Sequence, residues 1–225
     1  MTKLIYVLCW LCLCSLLTII AFGVGAADTA FAQEKPAEPA VKALNNSVLS
    51  KLPFNNQDDF QDAGRGFIAT LPDALVTGPD GHVVWSQKDY AFLDKAAPDT
   101  VNPSLWRQAQ LNHQNGLFKV VDGVYQVRGI DLSNMTILEG DTGLIVVDTL
   151  LSVETAKAGL ELYYQHRPRR PVVAVIYTHT HADHWGGVKG VISEADVASG
   201  KVAVIAPEGF LEHAASGDEP GICPA

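Results

Sequence analysis

Residues 175–190 read VIYTHTHADHWGGVKG, and the six positions 179–184 hold three of the seven histidines of the chain together with an aspartate. His179 and His181 stand two apart in what reads as extended chain, so both imidazoles project to the same side. That suits two nitrogen ligands on one zinc ion. Asp183 and His184 follow where the chain turns, and offer an oxygen and a nitrogen to a second metal close by. A metal pair acidifies a shared water and stabilises charge on both sides of a displacement; Asp183 is the residue of the four that we also assign to catalysis. Gly186 and Gly187 let the backbone leave such a loop tightly. Asp148, at the end of another apolar stretch, is the supporting residue: it could accept a hydrogen bond from the second nitrogen of a ligand histidine, hold the loop, or simply begin a turn. Seven histidines seldom fall into this spacing by chance, so the cluster reads as a metal site rather than as loop polarity. His82, in a turn, and His113, His166 and His213 read as surface residues.

The elements that must position these residues are legible around them. Residues 171–177, PVVAVIY, form a continuous apolar run and predict a strand buried on both faces. Before it, Ser152 can cap a helix over 153–166 with Ala156, Leu160 and Tyr163 or Tyr164 on one face. Earlier still, 117–121 and 124–129 flank Asp122-Gly123 as a hairpin, and 134–140 and 143–148 make a second pair. Asn102-Pro103 opens a helix. GPDGHVVW (78–85) is a turn into a short strand, and a weak helical pattern runs over 43–52. Residues 58–71 mix charge with apolar side chains and are expected to wrap against the main domain. After the cluster come a glycine-initiated helix over 187–197, a strand over 201–207 and a short helix near 208–214. Antiparallel strands followed by strand–helix–strand–helix–strand predict a layered α/β fold, with the chemistry in loops after strand ends.

The 225 residues carry 16 Lys and Arg against 25 Asp and Glu, a formal charge of −9. No basic block or basic-aromatic stripe appears, which argues against nucleic acid as a partner. Lys3, an apolar run from Leu4 to Phe22 and Ala30–Ala32 before Gln33 have the form of a secretory signal peptide over 1–32. Its removal takes one base and one acid, leaves 193 residues, enough for one domain with a sizeable core, and leaves no stable membrane anchor. The expected location is periplasmic or secreted. Three of the four cysteines lie in that segment, so Cys223 would be left alone without an internal disulfide. Residues 33–42 are rich in Pro and Ala and are expected to form a flexible leader.

HTHADH followed by Gly-Gly resembles the signature of the metallo-β-lactamase superfamily, and GDTGLIVVDT resembles the strand pair before it in that fold. VNPSLWRQAQLN (101–112), GVYQVRGIDLSNMTILEGDTG (123–143) and IAPEGFLEHA (205–214) sharpen this: residues 43–214 resemble the N-terminal part of the zinc-dependent alkyl sulfatases. The resemblance implies a partial αββα sandwich, an antiparallel and mixed sheet with outer helices. It also implies two zinc ions, with His179 and His181 on one and Asp183 and His184 on the other. The implied reaction is hydrolysis of a long-chain alkyl sulfate such as dodecyl sulfate to alcohol and inorganic sulfate. In such sulfatases further acidic and histidine ligands, a dimerisation region and a C-terminal domain lie downstream. The irregular tail 215–225 departs from the pattern, so the expectation for this chain is a truncated centre, weak zinc binding and poor solubility.

Overall fold

The computed structural model describes residues 35–216. The expected signal peptide and the last nine residues of the expected tail lie outside the described residues. Helix α1 (Pro39–Leu49) starts on a proline, whose fixed φ and missing N–H suit a first helical turn. The leader expected over 33–42 therefore gives way to helix at Pro39. Helix α2 (Asp58–Gly64) follows, then β1 (Phe67–Ala69) and the hairpin of β2 (Leu75–Thr77) and β3 (Val83–Ser86). Arg107 in α3 (Pro103–Asn112) ties the early segments together, donating to Asp59 and to the carbonyls of Phe54 and Asn56. Asn102 caps α3, its side chain accepting from the Ser104 amide at 2.9 Å.

Four antiparallel strands come next: β4 (Gly116–Val121), β5 (Val124–Arg128), β6 (Met135–Glu139) and β7 (Leu144–Val147). Helix α4 (Val153–His166) then carries the chain across to β8 (Val172–Ile176), and a second crossover leads to β9 (Ala203–Ile205). The seven-stranded order is β1-β4-β5-β6-β7-β8-β9. Its neighbours are antiparallel as far as β7 and parallel from β7 to β9. This mixed, mostly antiparallel sheet with helices is the architecture expected.

Alternation decides where the core lies. Tyr125 and Val127 pair across strands with Ile137 and Met135, and Ile137 pairs with Val146. All five are buried, since every second residue of a strand faces the same side. Leu160, Leu162 and Tyr163 of α4 join them in one cluster. Each such side chain contributes roughly 1.5–3 kcal/mol by leaving water. Gly159 lets the helix lie close, because a Cβ there would stand 3.0 Å from both Met135 and Val127. Glu139 clamps the far end: one carboxylate oxygen accepts from the Tyr163 hydroxyl (2.7 Å) and Arg167 Nε (2.9 Å), the other from Arg167 Nη2 (3.0 Å).

Two expectations need correction. Strand β8 is not buried on both faces: only Val175 is fully buried. Its outer neighbour β9 is three residues long and exposed throughout, so it shields little. The helix expected over 187–197 is two short pieces, a 3-10 turn at Val188–Gly190 and helix α6 (Glu194–Ala198). Ser193 breaks the run, because its side chain accepts from the Asp196 amide and starts a new helix. Between β8 and that turn lies the four-residue helix α5 (Ala182–Trp185), and the last described element is α7 (Phe210–Ser216).

Candidate metal centre

Parallel pairing of β7 with β8 brings their C-terminal ends to one edge of the sheet. Asp148 leaves β7 there, and Thr178 and His179 leave β8. Asp148 is buried and adopts a positive φ of 58°, a strained conformation for a residue with a side chain. One of its carboxylate oxygens accepts from the Thr178 amide at 2.9 Å. The other accepts from the Thr178 hydroxyl at 2.8 Å and from His184 Nδ1 at 2.7 Å. A carboxylate holding both a loop and the His184 imidazole accounts for the strain that position bears.

The network also sets tautomers, assigned from its donors and acceptors. The Thr178 proton goes to Asp148, so the Thr178 oxygen accepts from His179 Nδ1 at 2.9 Å. His179 Nε2 is then the unprotonated nitrogen, and it faces His181 Nδ1 at 2.8 Å. His184 donates from Nδ1 to Asp148, and its Nε2 lies 3.4 Å from Asp183 Oδ2. The ring centres of His179 and His184 are 4.0 Å apart, those of His179 and His181 4.6 Å. The structure thus brings His179, His181, Asp183 and His184 together around Asp148.

A divalent cation tests this cluster in two ways. The donors fit in kind: imidazole nitrogens and a carboxylate, with outer hydrogen bonds holding the His179 and His184 rings. They do not fit in position. Among the described residues no three His, Cys, Asp or Glu side chains are placed to hold a metal ion. The His179–His181 nitrogens bond to each other, closer than the about 3.3 Å two nitrogens on one tetrahedral zinc would keep.

Two loops cradle the cluster, and sequence reading missed most of their residues. Residues 148–152 form one: the Thr149 amide donates to the His184 carbonyl at 2.8 Å and the Gly187 amide to the Leu150 carbonyl at 2.9 Å. Gly187 must be glycine, because a Cβ there would be driven into the carbonyl oxygens of Thr149 and Ser152. The other loop is 129–134, between β5 and β6. Its buried Asp131 accepts from the Leu132 and Leu151 amides and the Thr155 hydroxyl, and buried Ser133 donates to the Asp183 carbonyl at 2.5 Å. A lone Asp and a lone Ser in a loop carry no spacing signal that would have marked them.

The far side of loop 129–134 lines a cavity of about 520 Å³ with Trp85, Tyr90, His113 and Arg128. Burial pushes the Arg128 guanidinium down, and its nearest partners are the Gln126 side chain and the Phe118 ring rather than a carboxylate. Of the other histidines, His82 and His166 are exposed as expected. His113 and His213 are partly buried instead: His113 Nδ1 meets Gln87 Oε1 at 2.9 Å, and His213 packs on Gly209.

The metallo-beta-lactamase superfamily model matches residues 128–221, the stretch containing both Asp148 and the histidine cluster, and that superfamily implies a metal cofactor. Relatives similar to this chain include proteins named alkyl sulfatases. The chain is 58% identical over 179 residues to the alkyl/aryl-sulfatase BDS1 of Saccharomyces cerevisiae, covering 79% of this chain. It is 57% identical over 191 residues to a linear primary-alkylsulfatase of Pseudomonas sp, covering 84%. The chain spans about 28% of the length of these two relatives. The solved structure of the stereoselective inverting sec-alkylsulfatase Pisa1 from Pseudomonas sp. matches 81% of this chain and 29% of its own, at a TM-score of 0.77 and 56% identity.

Proposed function

We propose that this chain carries the first metal-ligand segment of a zinc-dependent hydrolase of alkyl sulfate esters, which yields an alcohol and inorganic sulfate. The observation that carries the reading is its identity of 55–58% to relatives named alkylsulfatases, joined to a cluster of the right donors at the right sheet edge. In this reading His179 and His181 hold one zinc, and Asp183 and His184 hold the other. Asp148 keeps His184 and, through Thr178, His179 in the tautomer that leaves Nε2 for metal. Two zinc ions, when bound, supply an acidified water and the positive charge that an anionic sulfate ester needs on a chain of net charge −9. Export to the periplasm or medium, dimerisation and a long-chain substrate such as dodecyl sulfate belong to the same proposal.

Sulfate release from dodecyl sulfate, measured alongside zinc content, tests it. Activity should track bound zinc and fall at least about a hundredfold in His181→Ala. Release that persists without zinc and survives that substitution would refute the mechanism. A second reading rests on the donors that do not converge among the described residues: the chain by itself then holds zinc weakly and turns nothing over. Zinc content near zero with no sulfate release would favour it.

A further inference from the structure

The cavity beside loop 129–134 has a volume of about 520 Å³, within the range of small-molecule sites. Besides His113, two ionisable side chains line it, Arg128 and Asp131, next to Trp85, Gln87 and Tyr90. Both Asp131 oxygens are already occupied: Oδ1 accepts from the Leu132 amide at 2.5 Å, and Oδ2 from the Leu151 amide at 3.0 Å and the Thr155 hydroxyl. Arg128 is the opposite case. Its Nε donates to Gln126 Oε1 at 2.6 Å, and its guanidinium lies over the Phe118 ring, 4.5 Å from the centroid. Among the described residues Nη1 and Nη2 have no hydrogen-bond partner, and no carboxylate pairs with the group. Burial pushes this cation down, because a charge removed from water without a counter-charge is disfavoured. An anion in the cavity would supply what is lacking.

The facing wall is built in advance of any ligand. The Gly129 carbonyl accepts from Trp85 Nε1 at 3.2 Å and from Gln87 Nε2, and Gln87 Oε1 meets His113 Nδ1 at 2.9 Å. Gln87 is buried, so this run of bonds holds Trp85 and His113 in fixed positions. The Tyr90 ring joins them, its centre 6.3 Å from that of Trp85 and 6.5 Å from that of His113, and it stays 41% exposed. Three rings thus make one wall of a space whose one unpaired charge is positive.

We propose that this cavity binds an aromatic carboxylate, with the carboxylate on the Nη1–Nη2 edge of Arg128 and the ring against Trp85 and Tyr90. That edge of a guanidinium presents two parallel N–H donors whose spacing matches the two oxygens of a carboxylate. Aromatic walls favour a flat partner, which stacks or meets them edge to face. The site needs no metal and uses none of the His and Asp side chains at the β7–β8 edge, so it stands or falls independently of the hydrolase reading.

Titration calorimetry of the full chain with 2-naphthoate, with a chelator present throughout, tests the proposal. One saturable site is expected. Arg128→Gln, which removes the charge, should weaken binding at least about tenfold. Arg128→Lys keeps the charge without the fork and should fall between the two. The uncharged 2-naphthylmethanol should bind less tightly than the carboxylate and be indifferent to Arg128→Gln. Inorganic sulfate, which offers no ring, should compete only weakly. Absence of saturable binding to the wild type overturns the site, and so does equal affinity in Arg128→Gln. A neutral alcohol that binds as tightly as the carboxylate overturns the role of Arg128, and sulfate that binds as tightly overturns the role of the aromatic wall. Should Arg128→Gln not fold, Ala109→Trp keeps the guanidinium and fills the cavity from α3. Undiminished naphthoate binding in that variant overturns the proposal as well.

Discussion

Thr149 shows how tightly the cradle is drawn. Its hydroxyl is the one buried side-chain polar atom among the described residues that has no hydrogen-bond partner in the protein, although its amide is committed to His184. A buried hydroxyl left without a partner costs about 1–3 kcal/mol relative to an apolar group of the same shape. Thr149→Val should therefore raise the denaturant midpoint by an amount corresponding to about 1 kcal/mol, with an unchanged m-value. A loss of stability would mean that the hydroxyl has an ordered partner. At this scale the sequence is legible where residue type and spacing coincide. The pattern at 179–184 and the acceptor at Asp148 both stand out, whereas Ser133 and Asp131 matter only through the backbone groups they meet, which no local pattern encodes.

Among the elements, α4 is held at both ends by different physics. Ser152 and Thr155 form a capping box at its start, and Glu139 with Arg167 and Tyr163 fastens its end to β6. The Arg167 guanidinium holds the Glu139 carboxyl below the usual carboxylate range, and the Tyr163 hydroxyl adds to this. Burial, with Glu139 beside it, pushes the Tyr163 hydroxyl up. For a carboxylate lowered in this way, the stability it contributes is complete above its unfolded value of about 4.5 and is lost as pH falls through the lower folded value. Glu139→Gln should cost about 1–3 kcal/mol at neutral pH and flatten the acid limb of a melting-temperature profile below about pH 4.5. An equally steep acid limb in the variant would show that other carboxylates govern it. Helix α4 was readable because Ser152 and the spacing of Ala156, Leu160 and Tyr163 agree on one register. The following segment was not: an apolar run from 187 hides the competing cap at Ser193.

Across the whole molecule, one face of the sheet is sealed by α4 while β9 and its surroundings remain open. Val204, Ile205 and Leu211 are 41%, 50% and 83% exposed, which makes this side of the sheet the point at which association with other chains would begin. The sheet also changes character at β7. Up to that strand every pairing is antiparallel between sequence neighbours joined by short turns, apart from β1. Beyond it each strand must wait for a crossover, twenty-four residues long between Val147 and Val172. Closing such loops takes longer than zipping hairpins, so the chain has a fast half and a slow half. The His and Asp cluster lies on the seam. Pulse-labelled hydrogen exchange during refolding should protect the amides of β4–β7 first and those of residues 177–187 last; protection appearing together in both would remove the distinction. In kinetic terms, residues 177–187 would then be the last part of the domain to find their place, so anything bound there would act on a late folding step and slow the reopening of that segment far more than it would speed the early hairpins.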